Sequence, residues 1–93
     1  MSNKKYSILI VEDEDSIRKF IKINLEREGF NVVEAATGEE GLEKARIGEI
    51  DIVVLDIMLP GIDGYEVCKI LRREFPTIGI IMLTAKSQDI DKI

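Results

Sequence analysis

The chain has no histidine and a single cysteine among its 93 residues. Without histidine the usual zinc ligand sets are unavailable, and the lone Cys68 cannot close an intramolecular disulfide. Any metal should therefore be a hard cation held by oxygen. Long apolar runs are lacking too. The longest, such as 78–83, falls far short of the roughly 20 residues that a membrane-crossing helix requires. The start, Met1-Ser2-Asn3-Lys4-Lys5, runs into a strand without the apolar region of a signal peptide, so a cytoplasmic protein without membrane contact is expected. Positive charge is in short supply: 13 Lys and Arg against 18 Asp and Glu leave a net charge of −5. Such a surface repels polyanions, and direct nucleic-acid binding by this segment is not expected. Linkers, repeats and low-complexity tracts are absent as well.

What is present suits a packed core: 45% apolar and 33% charged residues, a balance unlike that of disordered chains. Single cores commonly occupy roughly 100 to 200 residues, so the chain is one domain or less. Ser7-Ile-Leu-Ile-Val11 reads as a fully buried parallel strand that stops at charged residues. Ile17, Phe20, Ile21, Asn24 and Leu25 then recur at helical spacing, with acids at 13–15 before them and Gly29 as a left-handed stop. The pattern repeats. Asn31–Ala35 is a short strand, and Thr37 with Glu40 forms a capping box for a helix ending at Gly48. Asp51–Leu55 is a third strand closed by Asp56. After Pro60, Gly61 and Gly64, Asp63 and Glu66 cap a helix with Tyr65, Val67, Cys68 and Leu71 on or near its inner face, which Pro76 prevents from continuing. Gly79–Leu83 is the fourth strand, and 87–93 opens a fourth helix.

Strands alternating with helices specify an α/β doubly wound parallel sheet covered on both faces. Ligands of such sheets sit beyond the carboxyl ends of the strands, where strand order reverses. The residues just past the strands are Glu12 to Asp15, Asp56, and Thr84-Ala85-Lys86. If the first and third strands are neighbours, Glu12, Asp13 and Asp56 converge, and their mutual repulsion calls for a divalent cation. Oxygen-only ligation with room for waters favours Mg2+. Singly, these residues have plainer readings: acids stabilise a helix start, and Thr84 is an ordinary strand end. It is their combination that points to a site.

Three segments carry a resemblance: Ile-Leu-Ile-Val-Glu-Asp-Glu at 8–14, Val-Val-Leu-Asp-Ile-Met-Leu-Pro-Gly-Ile-Asp-Gly at 53–64, and Ile-Met-Leu-Thr-Ala-Lys at 81–86. In order and spacing they resemble response-regulator receiver domains, particularly those joined to winged-helix DNA-binding outputs, over about Tyr6 to Ile93. The resemblance implies a flavodoxin-like sheet of order 2-1-3-4-5, with 2-1-3-4 present here, and residues 1–93 as a receiver domain incomplete at its C-terminus. It further implies that Asp56 is the phosphoacceptor and that Glu12, Asp13, Asp56 and the main-chain carbonyl of Met58 hold Mg2+. Thr84 would be the switch hydroxyl, a sensor histidine kinase the phosphodonor, and a transcriptional output the target, making this a signalling domain and not an enzyme. The family also supplies a Lys from the end of its fifth strand. That strand, a helix and their connections amount to roughly 25 to 30 residues beyond the given chain. Lys86 matches a variable place after the switch Thr and is not assigned the role of the family's Lys.

Rival readings fare worse. A haloacid-dehalogenase-type phosphatase wants a second carboxylate two residues after its nucleophile, and a topoisomerase-primase-type site an Asp-x-Asp, whereas Asp56 is followed by Ile57 and Met58. A flavin-binding flavodoxin needs a phosphate cradle where this chain has four acids. A third alternative is a truncated or engineered fragment that self-associates as a structural half through its fourth-strand edge.

Overall fold

The computed structural model describes residues 5–83. Within them the chain runs β1 (Ser7–Val11), α1 (Asp15–Arg27), β2 (Asn31–Ala35), α2 (Gly38–Ile47), β3 (Ile52–Asp56), α3 (Gly64–Glu74) and β4 (Gly79–Leu83). The strands form one parallel sheet in the order β2-β1-β3-β4. Strand 3 begins one residue later than the sequence suggests, although Asp51 still bonds on both sides: its N–H donates to the Ser7 carbonyl at 2.9 Å, its carbonyl accepts from the Gly79 N–H at 3.0 Å, and its Oδ2 accepts from the Ser7 N–H at 2.8 Å. The expected helix over 87–93 lies outside the described residues.

The apolar runs become the sheet because they are buried from both sides. Leu9, Val11, Val53 and Leu55 are fully buried, and Val67 and Leu71 of α3 close over them. The connection from β1 to β2 runs in the opposite direction to those from β2 to β3 and from β3 to β4. With right-handed crossovers, α1 therefore covers one face and α2 and α3 the other. Consistent with this, Arg46 of α2 and Glu74 of α3 form a two-pronged ion pair at 2.7 and 2.8 Å.

Helix ends follow their local chemistry. Thr37 Oγ1 accepts from the Glu40 N–H at 3.0 Å, but the Glu40 carboxylate reaches the Ala36 N–H at 2.9 Å instead of that of Thr37, so the capping box is displaced by one residue. Asp63 Oδ1 accepts from the Glu66 N–H at 3.0 Å, as its spacing suggests. Gly29 ends α1 with φ of 97°, a conformation that costs an L side chain strain.

Two apolar positions depart from expectation. Phe20, assigned to the inner stripe of α1, is 68% exposed, while Ile17, Ile21 and Leu25 are half-buried and no α1 residue is fully buried. Tyr65, placed near the inner face of α3, is 62% exposed, because Val67 and Leu71 define that face and Tyr65 falls on its flank.

Candidate functional site

Strand order reverses between β1 and β3, and parallel register brings their carboxyl ends level: Val11 pairs with Leu55, and Asp56 with Leu83 of β4. The next residue of β1 and the last of β3 are then side by side. Glu12 and Asp56 are both fully buried there, and Asp13 is exposed at the rim. Each of the three offers a carboxylate oxygen, and these oxygens all lie within 4.8 Å of one another. Two ionised carboxylates no more than 4.8 Å apart would repel by at least about 3.5 kcal/mol at an effective dielectric constant of about 20. An all-oxygen set of this kind, partly dry and open on one side, fits a hard divalent cation that keeps some of its waters.

Backbone bonding fixes both loops. The Glu12 N–H donates to the Ala35 carbonyl at 3.1 Å, and Glu12 Oε2 accepts from the Glu14 N–H at 2.9 Å. That second bond turns the chain, which is why acids directly after a strand do more here than start a helix. On the other side, the Met58 N–H donates to Asp56 Oδ1 at 3.2 Å and the Ile57 N–H to the Leu83 carbonyl at 3.2 Å. Gly64 then passes so close that its N–H donates to the Ile57 carbonyl at 2.9 Å, and a Cβ at 64 would stand 2.4 Å from the Asp56 carbonyl oxygen. The glycine is required by proximity. An open cleft of about 650 Å³ lies beside these loops, bounded by Asp13, Met58, Pro60 and Tyr65 among others.

Residues 8–93 match the response regulator receiver domain family. The chain belongs to that family. Over 91 residues it is 50% identical to the alkaline phosphatase synthesis transcriptional regulatory protein PhoP of Bacillus subtilis, covering 98% of this chain and 37% of that protein. Over 87 residues it is 48% identical to the transcriptional regulatory protein AfsQ1 of Streptomyces coelicolor, covering 94% of this chain and 38% of that protein. The chain thus spans less than two fifths of these relatives. Among solved structures it is similar to the response regulator TrrA of Thermotoga maritima in complex with Mg(2+)-BeF, at 37% identity and a TM-score of 0.82, covering 90% of this chain and 75% of that one. The chemotaxis protein CheY4 of Vibrio cholerae aligns at 31% identity and a TM-score of 0.85, covering 96% of this chain and 76% of that one. The flavodoxin-like architecture of the receiver family is therefore the fold of this chain.

Of the expected site residues, Glu12, Asp13 and Asp56 come together, and Met58 is in the adjoining loop with its side chain 60% exposed. Thr84 and Lys86 lie outside the described residues. Among the described residues, no helix is long and apolar enough to cross a membrane. Sequence reasoning passed over Arg18. Its Nη1 donates to the Glu12 carbonyl at 2.7 Å, its Nε to Glu34 at 3.0 Å and its Nη2 to Asp15 at 2.5 Å. The Asp15–Arg18 spacing hinted at one of these bonds; the other two join segments that only the fold makes neighbours.

Proposed function

We propose that this receiver domain is the phosphoacceptor switch of a two-component response regulator. Asp56 takes a phosphoryl group from a sensor histidine kinase or a small donor such as acetyl phosphate, with Mg2+ held by Glu12, Asp13, Asp56 and the main-chain carbonyl of Met58. The observation that carries this reading is the convergence of three carboxylates, two of them fully buried, at the point where strand order reverses. That a receiver structure similar to this chain was obtained in complex with Mg(2+)-BeF supports a Mg2+ site in a fold of this kind.

The chemistry required of the chain is limited. An Asp56 oxygen attacks phosphorus as the bond from phosphorus to the donor's leaving group breaks, giving an aspartyl phosphate and the released imidazole or acetate. The Met58 N–H on Oδ1 orients the carboxylate for that attack. Bound Mg2+ would supply charge screening for the incoming phosphoryl oxygens. Glu12, buried and turned by its bond to the Glu14 N–H, and Asp13 at the rim keep the charge of the site negative enough to recruit the cation. Thr84 is assigned the switch hydroxyl, which hydrogen-bonds the new dianion and carries the change to a transcriptional output of the kind named in the relatives. The proposed setting is the cytoplasm. A separate, second reading is pairing of two copies of this chain along β4, the last strand of the described sheet, whose Ile81 is 52% exposed.

Acetyl phosphate labelling followed by intact mass tests the reading. Incorporation should require Mg2+, fall in Asp13→Ala and vanish in Asp56→Asn; labelling at full stoichiometry in Asp56→Asn would overturn it.

A further inference from the structure

Arg18 stands in the second turn of α1 with its side chain only 12% exposed, and it uses every edge of its guanidinium. Two edges meet acids. Nε binds Glu34 on β2 and Nη2 binds Asp15 on its own helix, so the planar group is held from two elements at once. Glu34 is itself anchored: Lys22 lies 3.6 Å from its carboxylate, and Lys44 of α2 donates to its main-chain carbonyl at 2.7 Å. Burial favours the neutral form of the Glu34 carboxyl, but the hydrogen bond from Arg18 and the charges of Lys22, Arg18 and Lys19 outweigh it and hold that carboxyl below the usual range. The anchor is therefore an anion at neutral pH.

The third edge points toward the site. The carbonyl that receives Nη1 belongs to the peptide between Glu12 and Asp13, and a peptide unit is planar. Holding that oxygen at 2.7 Å fixes the plane from which both carboxylate-bearing residues depart. Together with the bonds from the Glu12 N–H to Ala35 and from the Glu14 N–H to Glu12 Oε2, it leaves the loop little freedom to rotate.

We infer that Arg18, braced by Glu34 and Asp15, is a positioning residue that sets the orientation of the Glu12 and Asp13 carboxylates through the Glu12 carbonyl and thereby the site's affinity for a divalent cation. The inference rests on the reading of the acidic cluster as a Mg2+ site. It makes an uncommon prediction of sign. Arg18 touches the backbone and not the clustered carboxylates, so as a mere nearby cation it would weaken Mg2+ binding, and its removal would strengthen it. As a positioning residue its removal does the reverse. Lysine cannot replace it, because an ammonium is a point charge without the planar fork whose three nitrogens reach three separate acceptors.

The test is a Mg2+ titration followed by amide NMR shifts in the wild-type chain, Arg18→Met, Arg18→Lys and Asp13→Asn, with thermal melts of each. The expected result is affinity about tenfold or more weaker in both Arg18 variants, the scale typical of groups that orient metal ligands, in protein that remains folded at the titration temperature. If Arg18→Met unfolds, Arg18→Lys, which keeps the charge and loses the fork, decides alone. Unchanged or tighter Mg2+ binding in Arg18→Lys, beside a lower melting temperature, would reduce Arg18 to a structural tie between α1 and β2 and overturn the inference. Failure of the wild-type chain to bind Mg2+ would instead remove the reading on which it rests.

Discussion

Replacing Gly64 by Ala should damage stability and site together. The added Cβ would stand 2.4 Å from the Asp56 carbonyl oxygen and 2.6 Å from the Ile57 Cα, against 3.4 Å where ordinary contact begins, a shortfall of 1.0 Å. Both obstacles are backbone atoms at the end of a central strand, so they cannot swing aside as a side-chain tip would. Overpacking of this kind costs about 1 to 3 kcal/mol. At roughly 4 to 8 °C per kcal/mol for a domain of this size, a cost of about 2 kcal/mol lowers the melting temperature by about 8 to 16 °C. Because the displaced atoms carry Asp56, acetyl phosphate labelling should also slow by up to about 100-fold, the effect of a misplacement of about 1 Å at a reacting group. Gly29→Ala is the control. There the Cβ meets nothing within 4 Å and the cost is the positive φ alone, at the end of the sheet remote from the acids. It should lose about 1 to 2 kcal/mol while leaving Mg2+ binding untouched. Calorimetry and labelling rates check both; Gly64→Ala with wild-type melting and wild-type labelling would refute the proximity argument.

Asp63→Ala removes the side-chain acceptor for the Glu66 N–H and should cost about 1 kcal/mol in urea unfolding, as the loss of a helix cap does. Glu34 and Glu40 have lowered carboxyl pKa values, Glu34 against its burial and Glu40 chiefly through the Ala36 N–H and then Lys44. Groups depressed on folding stabilise above their unfolded pKa and lose that contribution as pH falls through the folded one. Denaturation midpoints should therefore drop below the ordinary glutamate value near 4.5, and drop less in Glu34→Gln. Sedimentation of the chain should show concentration-dependent association that Ile81→Lys suppresses, since Ile81 is half-exposed on β4 and a charged edge blocks strand pairing. Association undiminished in that variant would place the contact elsewhere.

β1 and β3 were legible because their apolar runs each end at an acid and burial on both faces leaves no alternation to misread, while the less buried β2 and β4 were read from their place between helices. Their order, β2-β1-β3-β4, is the one that the resemblance to receiver domains implied; crossover handedness alone left it open. Once β1 and β3 are neighbours, Glu12, Asp13 and Asp56 come together, as the sequence suggested on that condition. Less could be read where a position depends on neighbours remote in sequence. Helical spacing placed Phe20 and Tyr65 inward, but the sheet faces only part of each helix and both are exposed. Asp51, expected to open β3, lies just before it, and its carboxylate accepts from the Ser7 N–H, 44 residues away in sequence. Arg18 was missed for the same reason: nothing in the order of residues marks a main-chain carbonyl as an arginine's partner.

The phosphoacceptor assignment turns on which atom carries the phosphoryl group. After acetyl phosphate treatment with Mg2+, borohydride reduction converts an aspartyl phosphate to homoserine, and peptide mass mapping locates it. Homoserine is expected at position 56 and nowhere else, lost when Mg2+ is chelated. Homoserine at Asp13, or labelling that persists in Asp56→Asn, would contradict it.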